Sequence, residues 1–317
     1  MKRLFIIANW MQGTGLSGGD RIFIELVKRW QLKLNITLFL SKEGSAICRR
    51  HELGKINQQI WASDFMSRWG YFVDILYRTI NSIINVFSVK TVSGDIIFSS
   101  SDFWPDSFPA LILKMRNPEI IWIAGFYLFA PKPWEKYSPY RGKNFLTGFL
   151  YWIGQLPTYY FIKKFADIVF VTSQPDVDPF ITNIRPKERV IVIRGGVDTV
   201  SAKHYLNSKK VIPPENRTYD ACFAGRFHYQ KGVLELVKIW KSVCLKSPQA
   251  HLVMIGSGPL GKEVKNLIEK LGLSKNIYLI GFLDGPKKFE VFKQSRLVVH
   301  PATFDSGGMA AAEAMAW

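Results

Sequence analysis

DACFAGRFHYQKGVLELVKIW, Asp220 to Trp240, sets a short apolar run against a basic loop and then a helical pattern. Asp220–Ala224 reads as a strand, and Val233–Leu245 repeats its apolar residues at about a helical turn. Between them, glycines frame a loop that carries Arg226 and Lys231. The same unit recurs downstream as strand His251–Ile255, helix Lys262–Leu271, strand Ile277–Ile280, helix Lys287–Gln294 and strand Leu297–His300. Alternation of this kind implies a parallel sheet that takes ligands at the carboxyl ends of its strands.

Upstream, β-branched runs at Leu4–Ala8, Ile36–Leu40, Ile96–Ser99, Ile120–Ile123, Ile168–Thr172 and Val190–Ile193 are strand candidates. Amphipathic stretches separate them, such as Asp20–Leu32 with Ile22, Leu26 and Trp30 in phase. The polar, proline-containing stretch Asn207–Arg217 reads as a linker. The expected fold is α/β, with two Rossmann-like domains over residues 1–200 and 201–317 facing a cleft.

The composition suits a folded protein: of 317 residues, 48% are hydrophobic and 21% charged, too apolar for a disordered chain. Lys and Arg number 42 against 25 Asp and Glu, for a net charge of +17, which points to anionic partners. Nucleic acid is set aside, because neither an aromatic-interleaved RNA motif nor a basic recognition helix is present. Cys48, Cys222 and Cys244 have no metal or disulfide spacing and imply reduced thiols in a cytoplasmic setting. Phe145–Ile162 is uncharged and is followed by Lys163 and Lys164. Gly148, Gly154, Gln155 and Pro157 interrupt it, so it reads as a buried or interfacial helix, with Trp134, Tyr137, Tyr140, Arg141 and Lys143 extending its aromatic and basic character. Peripheral contact with an anionic membrane and an ordinary helix between domains both fit that stretch.

Four glycine-bearing clusters follow strands. Gly13, Gly15 and Gly18 fit G-x-G-x-x-G, but no acid closes the second strand, which disfavours a nicotinamide or flavin cofactor. A phosphate-facing loop of another kind, or a plain turn, remains. Arg226 and Lys231 pair a planar fork of donors with a compact charge, which suits a diphosphate. Gly256 and Gly258 would let a flat group lie against a strand end, and Gly281–Gly285 holds the equivalent place after the next strand. Asp176 and Asp178 form a D-x-D that reads as a helix-entry turn, and His51, His204, His228, His251 and His300 have no ligand spacing, so no metal site is expected.

GRFHYQKGVLELV, MIGSGPLGKEVKNLIEKLGLSKNIYLIGFLDG and VVHPATFDSGGMAAAEAMA together resemble the retaining, nucleotide-sugar-dependent glycosyltransferases of family 4, which have the GT-B fold. The strand–GG–helix start at Leu4–Trp30 and IRGGVD at Ile193–Asp198 are similar to that family too, and the resemblance is strongest from residue 219 onward. It implies that Arg226 and Lys231 hold a donor diphosphate, with Gly18 and Gly19 approaching it from the other domain. Asp305 and Glu313 would be the family's acid pair, Asp305 taking hydroxyls of the transferred sugar and Glu313 those of the ribose. Physical chemistry adds a helix starting near Gly307, whose free N–H groups among Ser306, Gly307 and Gly308 face the phosphates. Eight residues of helix would then separate the acids by about 12 Å. His300 would contact sugar or phosphate, and Leu283 and the Gly256 turn would line the base.

The resemblance further implies a UDP- or GDP-sugar donor, a glycan or lipid-linked acceptor and no cofactor. The family's acceptor-side His has no counterpart here, where Gly125, Phe126 and Tyr127 stand instead, and Asp305 replaces the usual Glu. A non-catalytic sugar-nucleotide-binding or glycan-binding protein on the same fold is the rival reading. The chain ends at Trp317 within an Ala-rich helical turn, which reads as a truncated second domain whose Glu313 helix lacks packing partners and binds donor poorly.

Overall fold

A computed structural model describes residues 2–12, 16–197, 199–305 and 307–317, apart from the side chains at 64, 65 and 67. Gly13, Gly15, Asp198 and Ser306 therefore lie outside the described residues. The chain forms two compact units, Met1–Ala130 with Phe149–Gly195, and Pro131–Gly148 with Gly196–Trp317.

The first unit holds seven strands: β1 (Arg3–Ala8), β2 (Asn35–Ser41), β3 (Asn57–Ala62), β4 (Ile96–Ser99), β5 (Ile121–Gly125), β6 (Ile168–Val171) and β7 (Val190–Val192). They pair in parallel in the order β3-β2-β1-β4-β5-β6-β7. Helices cover both faces, so the strands are apolar on both sides and period two assigns the residues to faces. Leu4, Ile6 and Ala8 pack with Phe23, Val27, Leu38 and Phe98, while Phe5 and Ile7 pack with Phe39, Ile97 and Trp122 on the other side. The strand order reverses between β1 and β4, where open α/β sheets make their crevice. Here Asp106 occupies that point, accepting from the backbone N–H of Asn9 (2.6 Å) and of Trp10 (3.1 Å) and from the Ser100 hydroxyl (3.2 Å). Burial pushes this carboxyl up to about 7 against the pull of those donors.

The second unit is a four-stranded parallel sheet of β8 (Tyr219–Ala224), β9 (Leu252–Ile255), β10 (Ile277–Leu279) and β11 (Ser295–Val298), in the order β10-β9-β8-β11. Phe223, Leu252 and Met254 face Val233, Leu236 and Trp240 of helix Val233–Lys246. Cys222, Ala224, Val253 and Ile255 face the opposite layer, which includes Phe292, Ala314 and Trp317. The expectation that the Glu313 helix lacks packing partners is thereby corrected. Trp317 is buried, stacked on Phe289 at 4.7 Å and against Tyr205 at 5.9 Å, with the Lys293 ammonium 5.0 Å from its ring centroid.

Phe145–Phe165 forms one helix that runs through Gly148, Gly154, Gln155 and Pro157, in line with the expected helix over this stretch. Gln155 is buried and satisfied: its amide donates to Asp102 and to the Leu128 carbonyl and accepts from the Ala130 N–H, each at 2.8 Å. Among the described residues, no helix is long and apolar enough to cross a membrane. Trp134 and Tyr137 are exposed, but Tyr140 is buried and its ring fills the space that a side chain at Gly148 would need.

Candidate functional site

The second sheet reverses its order between β8 and β11, and the candidate residues gather beyond those two strand ends. After Ala224 the chain turns through Gly225 and the exposed Arg226, and a short 3-10 turn, Tyr229–Lys231, delivers Lys231. Gly232, at φ 63°, then opens the helix, and a Cβ there would come within 2.7 Å of the Pro301 carbonyl oxygen. The loop after β8 is thus pressed against the segment after β11, and side chains far apart in sequence meet.

The Lys231 ammonium lies 2.5 Å from Asp305 Oδ2, and His300 Nε2 lies 3.0 Å from the same oxygen. Burial raises the Asp305 carboxyl, but the hydrogen bond and charge of Lys231, with His300 and the Gly307 N–H, outweigh it. The carboxyl is held below the usual carboxylate range and presents only acceptors. Nearby, burial and the charges of Arg226 and Lys231 lower His228 to about 4, which leaves a neutral ring whose Nδ1 accepts from the Gln230 N–H.

The second acid has its own cation. Glu313 is buried, and its Oε2 lies 2.7 Å from the ammonium of Lys288, on helix Pro286–Lys293. Lys288 also meets Asp284 at 3.2 Å. Sequence reading missed Lys288, because a lysine in an amphipathic helix has no signal that separates a site residue from a solvated one. Its place after the GFLDG turn, at the carboxyl end of β10, was the available hint.

The last helix starts at Met309, with Gly308 at its cap, close to the expected start near Gly307. Asp305 therefore sits in the preceding turn, so an eight-residue helical rise does not separate it from Glu313. The Gly307 N–H is not free either, since it donates to the Asp305 carboxylate.

The glycines also have partners within the chain itself. Gly256, at φ 147°, has the Gly225 carbonyl oxygen 1.9 Å from where its Cβ would lie, and a Cβ on Gly258 would meet the Phe227 backbone. Their absent side chains make room for the loop after β8, whose Phe227 N–H donates to the Ser257 carbonyl at 2.8 Å. Gly256→Ala is expected to cost about 2–4 kcal/mol through the backbone clash and strained φ, read as a lower midpoint in urea denaturation. In the first unit, Gly18 and Gly19 open helix Gly18–Trp30, and the Tyr127 ring occupies the space beside Gly19. Leu283 is half-buried in the layer that holds Phe292, Ala314 and Trp317. The Ser173 hydroxyl donates to the Asp176 carboxylate at 2.5 Å, and among the described residues no group of three or more His, Cys, Asp or Glu could hold a metal ion.

Comparison with known proteins places a family match on the part of the chain that holds this cluster. Residues 206–317 match the Glycosyl transferases group 1 family. The match takes in Arg226, Lys231, Lys288, His300, Asp305 and Glu313 together. A glycosyltransferase of Methanocaldococcus jannaschii, MJ1607, is 28% identical over 137 residues, which are 41% of this chain and 35% of the relative. The poly(glycerol-phosphate) alpha-glucosyltransferase of Bacillus subtilis is 29% identical over 149 residues, 47% of this chain and 21% of that protein. The aligned regions thus span about a third or less of these relatives' lengths. Among solved structures, Anabaena Alr3699/HepE in complex with UDP and glucose superposes with a TM-score of 0.64 at 15% identity, covering 100% of this chain and 78% of that one. An S. aureus TarM variant in complex with UDP gives 0.67 at 11% identity, covering 100% and 84%. At such identities the likeness is one of fold, and the fold is GT-B. The matched domain and the relatives support a transferase.

Proposed function

We propose that this chain is a retaining glycosyltransferase of family 4 that moves a sugar from a UDP- or GDP-sugar to a glycan or lipid-linked acceptor. The reaction would serve cell-envelope polysaccharide or glycolipid synthesis at the inner face of the cytoplasmic membrane, with peripheral contact to anionic lipid. The observation that carries this reading is the cluster beyond β8 and β11, where Lys231 and His300 converge on one oxygen of Asp305. The UDP in two structural neighbours and the acceptor named for the B. subtilis relative support the donor and envelope parts.

In this reading Arg226 and Lys231 bind the diphosphate, the ionised Asp305 accepts from hydroxyls of the sugar, and Glu313, set by Lys288, accepts from the ribose. The bond from the anomeric carbon to the phosphate oxygen breaks while the acceptor oxygen bonds to the same face. The acceptor proton passes to the departing phosphate, whose charge Arg226 and Lys231 stabilise. No separate general base is needed.

Calorimetric titration with a panel of nucleoside-diphosphate sugars tests the donor site. Glu313→Gln is expected to weaken the preferred donor about tenfold to a hundredfold, the worth of one charge-assisted hydrogen bond. Unchanged affinity for every nucleotide sugar in both Glu313→Ala and Lys231→Ala would show the site to be misassigned.

A further inference from the structure

Helix Tyr71–Val86 of the first unit buries mostly polar side chains and exposes apolar ones. Asp74, Arg78, Thr79 and Ser82 are all buried, beside Ile75 and Val86. Arg78 explains why, since its guanidinium pairs with Asp74 at 3.0 Å and Glu43 at 2.8 Å and donates to the carbonyls of Asn9 and Met11. The outward face is apolar. Phe72, Leu76, Ile80 and Ile84 recur every four residues along one line, and the last three are 50%, 55% and 65% exposed. Trp69, 66% exposed, precedes the helix and Phe87, 61% exposed, follows it.

A continuous apolar ridge of this kind marks an interaction surface. Its rim is basic: Arg68 lies over Trp69 at one end, and Arg116 over Phe87 at the other, where Lys90 is also exposed. From Arg68 to Val92 the only acid is the buried Asp74. A second copy laid on this face, parallel or antiparallel, would bring cationic ends against cationic ends. Anionic lipid complements them, while its acyl region takes the ridge and its headgroup layer takes the aromatic ends. At 16 residues the helix would lie along the interface rather than cross it.

We infer that helix Tyr71–Val86 docks this protein on an anionic membrane through its outward apolar face, with Arg68, Lys90 and Arg116 meeting the headgroups. This deepens the membrane part of the reading above and rests on it, naming a surface other than the 134–164 region. Phe145, Leu146, Ile153 and Tyr160 are exposed on helix Phe145–Phe165, which makes that helix the natural control.

The test is sedimentation of the 317-residue chain with phosphatidylcholine vesicles made with and without phosphatidylglycerol. The chain is expected to sediment with the anionic vesicles, and Leu76→Glu combined with Ile80→Glu should weaken that binding about tenfold or more. Leu146→Glu should bind as the parent does. Both changed side chains face solvent, and the milder pair Leu76→Ser with Ile80→Ser should give the same direction. The inference is overturned if the parent ignores anionic vesicles, if the helix variants bind undiminished, or if Leu146→Glu alone abolishes binding. It is equally overturned if the parent is a dimer that the helix variants dissociate, which would assign the face to a second copy. Donor titration is read separately, so a failure to bind nucleotide sugar sinks the transferase reading without touching this one.

Discussion

Lys231→Ala is expected to lower kcat/KM for sugar transfer by about 10²–10³-fold, the usual cost of deleting one positioned charge from a leaving-group site. Two losses combine. The departing diphosphate loses a cation where its negative charge develops, and Asp305 loses the nearer of its two nitrogen partners, at 2.5 Å against 3.0 Å for His300. With Lys231 in place, the Asp305 carboxyl is held below the usual range even though burial pushes it up. The stabilisation from its ionised form is full above the ordinary carboxylate value of about 3.9 and is lost as pH falls through the lowered one. Without Lys231 the upward push of burial meets less opposition, so the acid limb of the activity profile should move to higher pH. Lys231→Arg keeps the charge but replaces a point donor with a planar fork, and it should recover only part of the rate. If the pair works as a unit, Lys231→Ala should cost less in an Asp305→Asn background than alone. Turnover within about threefold of the parent would place the diphosphate elsewhere.

The physics of burial explains what was legible. Strands sealed on both faces must be apolar, so β1, β2, β4, β5, β6, β8 and β9 stand out as β-branched or apolar runs, while the edge strands β10 and β11 were legible from their apolar residues although Tyr278, Leu279 and Leu297 are exposed. β3 was invisible because NQQIWA lies at the sheet edge, where Asn57, Ile60 and Gln59 are exposed and only Trp61 and Ala62 are buried. In the candidate site, the residue types declared the chemistry but not the contacts. Arg226, Lys231 and the Asp305–Glu313 spacing could be read from the chain. The Lys288–Glu313 pair and the His300–Asp305 contact depend on which strand ends the topology brings together. Gly256 shows the same limit: the glycine was legible as a close approach, but its partner is the chain's own Gly225 carbonyl.

Arg78→Ala is expected to cost about 3–5 kcal/mol of unfolding free energy, because it leaves buried carboxylates without their cation. The residue is fully buried, deep in the first unit. Its guanidinium faces Asp74 and Glu43 and donates to the Asn9 and Met11 carbonyls, so its loss leaves two carboxylates without their cation, while Asp74 keeps the Gln12 amide at 2.6 Å and the Met11 carbonyl keeps the Ser41 hydroxyl at 2.7 Å. Those carbonyls belong to the segment that leaves β1 ahead of the Gly18–Trp30 helix. The same change should therefore loosen that segment and raise the hydrogen exchange of its amides. Arg78→Met with Asp74→Asn and Glu43→Gln removes the stranded charges along with the cation and should recover a substantial part of the loss. Arg78→Lys should fall between, since one ammonium cannot serve a fork of acceptors spread over four residues. Urea denaturation gives the free energies. A loss below about 1 kcal/mol for Arg78→Ala, the size of an exposed ion pair, would mean that water replaces the guanidinium and that this network does not hold the helix to the sheet.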